Sequence, residues 1–331
     1  MISKPRWKPI LGLLEPFIGL LVVLLLFALS PIRDTLFFEG RGGSWNLILL
    51  QTSVVALGAM GMTLIIVSGG IDLSAGSVVA LSSVVGAKAI LAGFSLPMVM
   101  LFCILTGGAV GLVNGALIAG LRMVPFIVTL GMMGIARGIA KWTADNKTVN
   151  YTAKFGNDHP ISNLMERASA RDFFPLPPGV WITLVLAVLM ILVLRKSVFG
   201  RHVFAIGSNE HTARLCGIRV QWKKLMIYAI AGLFFGMAGL MQLSRLNLGD
   251  PTTAVGLELE IIAAVVIGGA SLNGGVGSIL GSMVGALIMG VLKLGSTLMG
   301  WPNHIQEIII GVVIIFAVCV DKIRHGGLFK S

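Results

Sequence analysis

The sequence predicts an all-α, polytopic helical membrane protein with about ten transmembrane helices and both termini cytoplasmic. Three observations predict it. The 331 residues are 56% hydrophobic and only 12% charged, against about 25% charged in a soluble domain. The mean hydropathy of +0.94 leaves too little polar surface to cover a water-facing core. The apolar residues gather in runs near the ~20 residues that a spanning helix needs. A soluble enzyme and a disordered chain do not fit. The 43 glycines follow no three-residue period, so collagen does not fit either.

Lys4, Arg6 and Lys8 precede the first apolar run at 10–30. This beginning imitates a signal peptide, with Ala28 and Ser30 at a cleavage-like position. The run is long for a signal core, and Pro31 would follow the cut, so we read an uncleaved first span. Further runs lie at 45–68, 72–93, 96–120, 124–142, 179–195, 224–245, 256–270, 274–296 and 305–321. The run 256–270 is short, carries Glu258 and Glu260, and is the weakest of the ten.

Orientation follows from lysine and arginine, which concentrate in cytoplasmic loops. Arg195, Lys196, Arg201, Arg214, Arg219, Lys223 and Lys224 face one acid, Glu210. That makes 196–223 a cytoplasmic loop and, with ten spans, puts both ends of the chain on the same side. Lys322, Arg324 and Lys330 agree. The stretch 143–178 then lies outside the membrane, with four basic residues (Lys147, Lys154, Arg167, Arg171) against four acids (Asp145, Asp158, Glu166, Asp172). The whole of 1–331 reads as one membrane domain. Its net charge of +11 is topological, and the partner it implies is membrane lipid rather than nucleic acid. Trp7, Trp45, Trp142, Trp181, Trp222 and Trp301 fall at or near run ends, where indole prefers the headgroup region.

Glycine spacing predicts close helix packing, because lipid supplies no hydrophobic drive for helices to associate. Gly107, Gly111 and Gly115 repeat four apart, as do Gly277, Gly281 and Gly285. A faint repeat at an offset of 199 pairs Gly69-Gly70 with Gly268-Gly269, and Ser83, Val85, Gly86 and Ala87 with Ser282, Val284, Gly285 and Ala286.

Much chemistry is missing. There is no P-loop and no Gly-Lys pair, so the chain cannot hydrolyse ATP by that route. The three cysteines form no C-x-x-C, and the five histidines are scattered. No catalytic, metal-binding or cofactor-binding set is expected. Lys88, Arg137, Lys141, Lys293 and Glu307 lie near predicted outer ends, where long side chains can snorkel. Asp72, with Ser74 beside it, reads either as a helix cap or as a polar group on a path through the membrane.

The basic loop is the most informative segment. Asn209 can cap a short helix whose first turn holds Glu210, which suits the helix dipole. Gly217 can end it. Ala213 and Leu215 offer apolar contacts, and Glu210 and Arg214 charged ones, a pattern suited to docking a partner.

This segment resembles the ATPase-coupling loop of ribose-type sugar permeases, the membrane subunits of bacterial ABC importers. The likeness extends over nearly the whole chain: Gly69-Gly70-Ile71-Asp72-Leu73-Ser74-Ala75-Gly76-Ser77, then Asn114-Gly115, Pro125 to Gly131 and Arg137-Gly138, then Ile262 to Gly275. Asn273, where small residues are usual, and a long outer stretch at 143–178 depart from the pattern. The resemblance implies a permease for a monosaccharide or polyol in the bacterial inner membrane, with no cofactor of its own. Its partners would be a cytoplasmic ATPase, an extracytoplasmic sugar-binding protein and a second permease subunit. Gly207, Asn209, Glu210, Ala213, Arg214, Leu215, Gly217 and Ile218 would couple to the ATPase. Asp72, Ser74, Asn114, Thr129 and Asn273 could line the path. Related permeases carry nucleosides, amino acids or sugar-like signal molecules, and an ion-coupled secondary transporter or a membrane enzyme stand as alternatives.

Overall fold

The computed structural model describes residues 8–37, 43–155, 160–164 and 176–325. Lys4, Arg6, Trp7 and Lys330 lie outside these residues, as do Asp158, His159, Glu166, Arg167, Arg171 and Asp172 of the 143–178 stretch. Helix α1 (Lys8–Ala28) and the short α2 (Arg33–Phe37) lead to α3 (Gly43–Val67). Then come α4 (Ala75–Leu91), α5 (Leu96–Gly120), α6 (Pro125–Thr143) and α7 (Thr152–Phe155). A 3-10 turn at Ser162–Leu164 precedes α8 (Pro178–Lys196), α9 (Val198–Ser208) and α10 (Glu210–Leu215). The chain continues with α11 (Val220–Leu246), α12 (Leu257–Ile267), α13 (Ile279–Leu298) and α14 (Asn303–His325). Among the described residues the only β pairing is an isolated bridge between Val149 and Gly249.

Ten of these helices coincide with the ten apolar runs. Five are long and apolar enough to cross a membrane by themselves: Ser44–Val67, Leu96–Gly120, Pro178–Lys196, Val220–Leu246 and Ile279–Leu298. The chain is a polytopic helical membrane protein. Helices α5, α6 and α8 begin with proline in the first turn, where a missing N–H leaves no bond unmade. Helix α3 is buried on nearly every side, while α6 and α8 turn residues such as Ile127, Ile135, Val185 and Val188 outward.

The glycine spacings mark the closest contacts. A Cβ on Gly107 or Gly111 would strike the backbone of Gly232 in α11, and one on Gly115 would crowd Leu225. A Cβ on Gly281 would strike Gly268, and one on Gly285 would strike Ala264 of α12. Two helix pairs, α5 with α11 and α12 with α13, thus approach backbone to backbone.

Helices α4 and α12 depart from a simple span. Helix α12 has 11 residues and is about 16 Å long at 1.5 Å per residue, roughly half of a ~30 Å hydrocarbon core. Helix α4 starts at Ala75, three residues past Asp72, after a break at 68–74. A Cβ on Gly76, in the first turn of α4, would meet the carbonyl of Ala254. Gly76 is about 22 Å along α4 from Leu91 at 1.5 Å per residue, so the 247–256 connection dips deep into the bundle.

Helices α3 and α12 end alike. Gly69 and Gly269 take positive φ, at 83° and 88°. The amides of Gly70 and Ala270 reach back to the carbonyls of Ile65 and Val265 at 2.9 and 3.1 Å, a Schellman closure. The structural offset here is 200, one more than the sequence repeat. The downstream half of the repeat does not hold: Ser83 lies mid-helix in α4, whereas Ser282 lies in the first turn of α13.

Candidate functional site

The break between α3 and α4 gathers a buried polar cluster. Asp72 Oδ1 accepts from the amide of Ser74 at 2.8 Å and from its hydroxyl at 2.6 Å. Asn114 of α5 donates through Nδ2 to Ser74 Oγ at 3.1 Å and to Asp72 Oδ2 at 3.4 Å. The Thr129 hydroxyl of α6 donates to the carbonyl of Ile71 at 3.2 Å. All four side chains are buried. Asp72 therefore forms a two-residue turn ahead of the helix, and Ser74, the residue at the cap position, makes no side-chain cap bond. Asn273 is not part of this cluster; it lies exposed in the break between α12 and α13. Tyr228 of α11 borders the cluster at Gly70, with a buried hydroxyl lacking a protein partner. Sequence reading missed Tyr228, which looks like any aromatic in an apolar run.

The basic loop folds as two helices. Asn209 accepts from the amide of Thr212 at 2.9 Å and caps α10. Gly217, at φ 82°, ends it, and the Ile218 amide bonds back to the Ala213 carbonyl at 3.1 Å. Ala213 packs inward with Ile206 and Val220, and Ile218 joins them. Leu215 points out, 76% exposed. Glu210 meets Arg214 Nη2 at 2.9 Å and Lys224 Nζ at 2.6 Å, which ties α10 to the start of α11. Partial burial works to raise the Glu210 pKa, but the bonds and charges of Lys224 and Arg214 outweigh it and hold the carboxyl below its usual value. A cavity of about 270 Å³ lies where the α5–α6 turn meets α10, lined by Arg122, Met123, Glu210, Arg214 and Lys224 among others.

Gly207, near the end of α9, stands where the two helix breaks meet. A Cβ there would strike the Val67 carbonyl and the Gly275 amide. Those two groups are themselves bonded at 2.8 Å. Deeper in, the hydroxyls of Thr63 and Ser282 bond at 2.7 Å, so α3 and α13 are held together just inside both breaks.

At the opposite end of the bundle, a cavity of about 200 Å³ lies between α3, α11, α12 and α13. Gln51, Gln242, Arg245, Thr253, Glu260 and Lys293 supply its polar lining, and Val54, Val55 and Met289 line it as well. Glu260 Oε1 and Lys293 Nζ pair at 2.6 Å. The Lys293 side chain stays partly exposed while its ammonium pairs with the buried carboxylate from α12. Arg137 turns inward, donating to the carbonyls of Pro251 and Thr253 at 2.8 and 2.6 Å. The sequence signal for this cavity was the cluster of ionisable residues in apolar runs. What they meet was not readable, because each partner lies on another helix or a distant connection.

Known proteins place the arrangement. Over 307 residues the chain is 38% identical to an L-arabinose ABC transporter permease protein of Azospirillum brasilense, covering 92% of this chain and 87% of that one. It is 39% identical over 282 residues to the ribose import permease protein of Escherichia coli K12, covering 83% and 84%. It is 35% identical over 314 residues to a fructose import permease protein of Rhizobium meliloti, covering 92% and 84%. No solved structure matches the chain. Residues 45–318 match the family described as the branched-chain amino acid transport system permease component, and the chain belongs to that family of ABC importer permeases.

Proposed function

We propose that the chain is the membrane-spanning subunit of an ATP-binding cassette importer for a monosaccharide or related polyol. Membership of the family implies an ATPase and a binding protein as partners. It also makes this chain a transporter component rather than an enzyme. The observation that carries the mechanism is Gly207: the end of α9, two residues before the cap of α10, is wedged between the breaks of two inner helices. Helix α10 is the segment that meets the ATPase. Leu215 and Arg214 face outward to make that contact, while Ala213 and Ile218 anchor the helix and Glu210 locks it to α11. Asn209 and Gly217 fix its two ends. A push on α10 reaches Val67 and Gly275 through Gly207.

In this reading ten spans set both termini and the 196–223 loop in the cytoplasm of a bacterial cell, and 143–178 faces the binding protein outside. A second permease subunit completes the pair that a two-unit ATPase requires. Loaded binding protein docks outside, ATP closes the ATPase dimer, and the permease passes from outward-open to inward-open. Solute and nucleotide shift this equilibrium only through contacts that differ between the states. Asp72, Ser74, Asn114 and Thr129 line the inner part of the path when the α3–α4 break moves, with Asn273 on the facing loop. The sugar relatives favour a sugar, and the family description puts leucine, isoleucine and valine on the test panel.

The test is purification of the tagged chain with the products of neighbouring genes, followed by ATP hydrolysis assays. Binding protein is added with pentoses, hexoses, polyols, nucleosides and branched-chain amino acids in turn. Stimulation by one loaded sugar is the expected outcome. Solute uptake under a proton gradient with no ATPase copurifying would establish an ion-coupled transporter instead.

A further inference from the structure

The cavity between α3, α11, α12 and α13 is separate from both the Asp72 cluster and the α10 surface. We propose that it is a binding site for one monosaccharide inside the membrane domain, with Gln51, Arg245, Glu260 and Lys293 reading its hydroxyls. This rests on the importer reading and adds a place and a set of contacts to it.

Size is the first argument. A cavity of about 200 Å³ is on the order of one pentose or hexose.

Chemistry is the second. Charged and amide side chains within a membrane bundle are costly and collect where a solute or ion passes. Glu260 and Lys293 satisfy each other, and Gln242 Nε2 donates to Thr253 Oγ1 at 2.9 Å. Gln51 Oε1 and Arg245 Nε remain buried with no hydrogen-bond partner. Such atoms stand at a cost until something pairs with them. One is an acceptor and the other a donor. A hydroxyl is both, so a single polyol can satisfy the two together. The ion pair adds further acceptors and donors at the rim of the same space. Val54, Val55 and Met289 offer a surface for the C–H face of a sugar ring. Free leucine could also pair its carboxylate with Arg245 and its ammonium with Gln51, so L-leucine is the control that tells a polyol site from an amino-acid site.

Position is the third. Gln51 lies in the first part of α3, Arg245 at the end of α11 and Lys293 in the last part of α13. All three are at the end away from α10, the side where a binding protein would release its cargo.

The test uses the intact importer complex with the exposed Cys216 and Cys319 replaced by serine and Thr253→Cys introduced. A membrane-impermeant thiol reagent is added outside, with millimolar D-ribose, L-arabinose, D-galactose, D-fructose or L-leucine. At least one sugar is expected to slow labelling about fivefold, the protection that a ligand at about four times its Kd gives, and to do so more than L-leucine does. In parallel, Gln51→Leu and Arg245→Gln are expected to shift the ratio of pentose to hexose uptake by a similar factor. Labelling unchanged by every sugar, in a complex whose ATPase responds to sugar-loaded binding protein, overturns the site and spares the importer reading. Unchanged uptake ratios in both variants do the same. A complex whose ATPase answers no sugar overturns the importer reading and the site with it.

Discussion

The amide of Gly275 donates to the carbonyl of Val67 at 2.8 Å, so the loop that follows α12 closes the end of α3. The two residues lie far apart in sequence, yet this bond joins the two breaks in the bundle. Gly207 fills the remaining corner with a hydrogen where any other residue would place a carbon.

Gly207→Val is therefore expected to lower the melting temperature and to abolish ATP-driven uptake, since overpacking costs about 1–3 kcal/mol. Gly217→Ala meets open space but a φ of 82°, and should cost about 1–2 kcal/mol. Melting in detergent and uptake in proteoliposomes are the measurements. If Gly207→Val transports normally, the wedge has no role in coupling.

Glu210 supports a prediction in both function and pH. Glu210→Ala and Arg214→Ala should lower uptake while the binding protein keeps its affinity for sugar. The ion pairs are partly exposed and each is worth under ~1 kcal/mol of stability, so melting should move little. The folded carboxyl titrates below its usual value. Its contribution is thus fully present above the unfolded value of about 4.3 and is lost as pH falls through the folded one. Sugar-stimulated ATP hydrolysis should owe no pH dependence to this group between neutrality and about pH 5. A Glu210-dependent loss already at pH 6 would contradict the assignment.

Arg137 holds two carbonyls of the 247–256 connection. Arg137→Met removes two charge-assisted bonds, each worth about 1.5–3 kcal/mol, and should destabilise the protein more than any surface arginine does. Arg137→Lys should recover only part, because both bonds leave Nη1 and the lysine chain is one bond shorter, which leaves its ammonium short of that position. Limited proteolysis near 250–256, with melting as a control, reads the effect.

Asp72 separates two kinds of transporter. Asp72→Asn keeps an acceptor for the Ser74 amide and hydroxyl, so ATP-driven uptake should persist. Asp72→Ala leaves those donors buried and unpaired and should fold poorly, at a cost of about 1–3 kcal/mol for each group. Loss of uptake in a well-folded Asp72→Asn protein would instead point to ion coupling.

These cases show what was legible in the sequence. Helix α10 was readable because Asn209, Glu210 and Gly217 act within one turn of themselves. Helix α9 was not, since Val203 and Ile206 sit among Arg201, His202 and Gly207 and look like a loop. The glycine stripes announced close packing without naming the partner helix. Four of the polar residues read as a path converge, although Asp72 and Asn114 lie 42 positions apart. Lys293 and Arg137 lie toward the ends of their helices, but linear position says nothing of azimuth. Whether a long cation faces lipid headgroups or a carboxylate depends on α12 and the 247–256 connection, and their depth follows from packing.

That depth limits how the molecule can move. Backbone in the 247–256 connection is neither helical nor sheet-paired, apart from the bridge at Gly249. Hydrocarbon would leave such peptide groups unsatisfied, so at membrane depth they must face protein or a water-filled cavity. Helix α6, through Arg137, is part of that enclosure. The seam between α6 and the connection must then stay closed to lipid through every turnover, while the other side of the connection is free to face the water of the cavity.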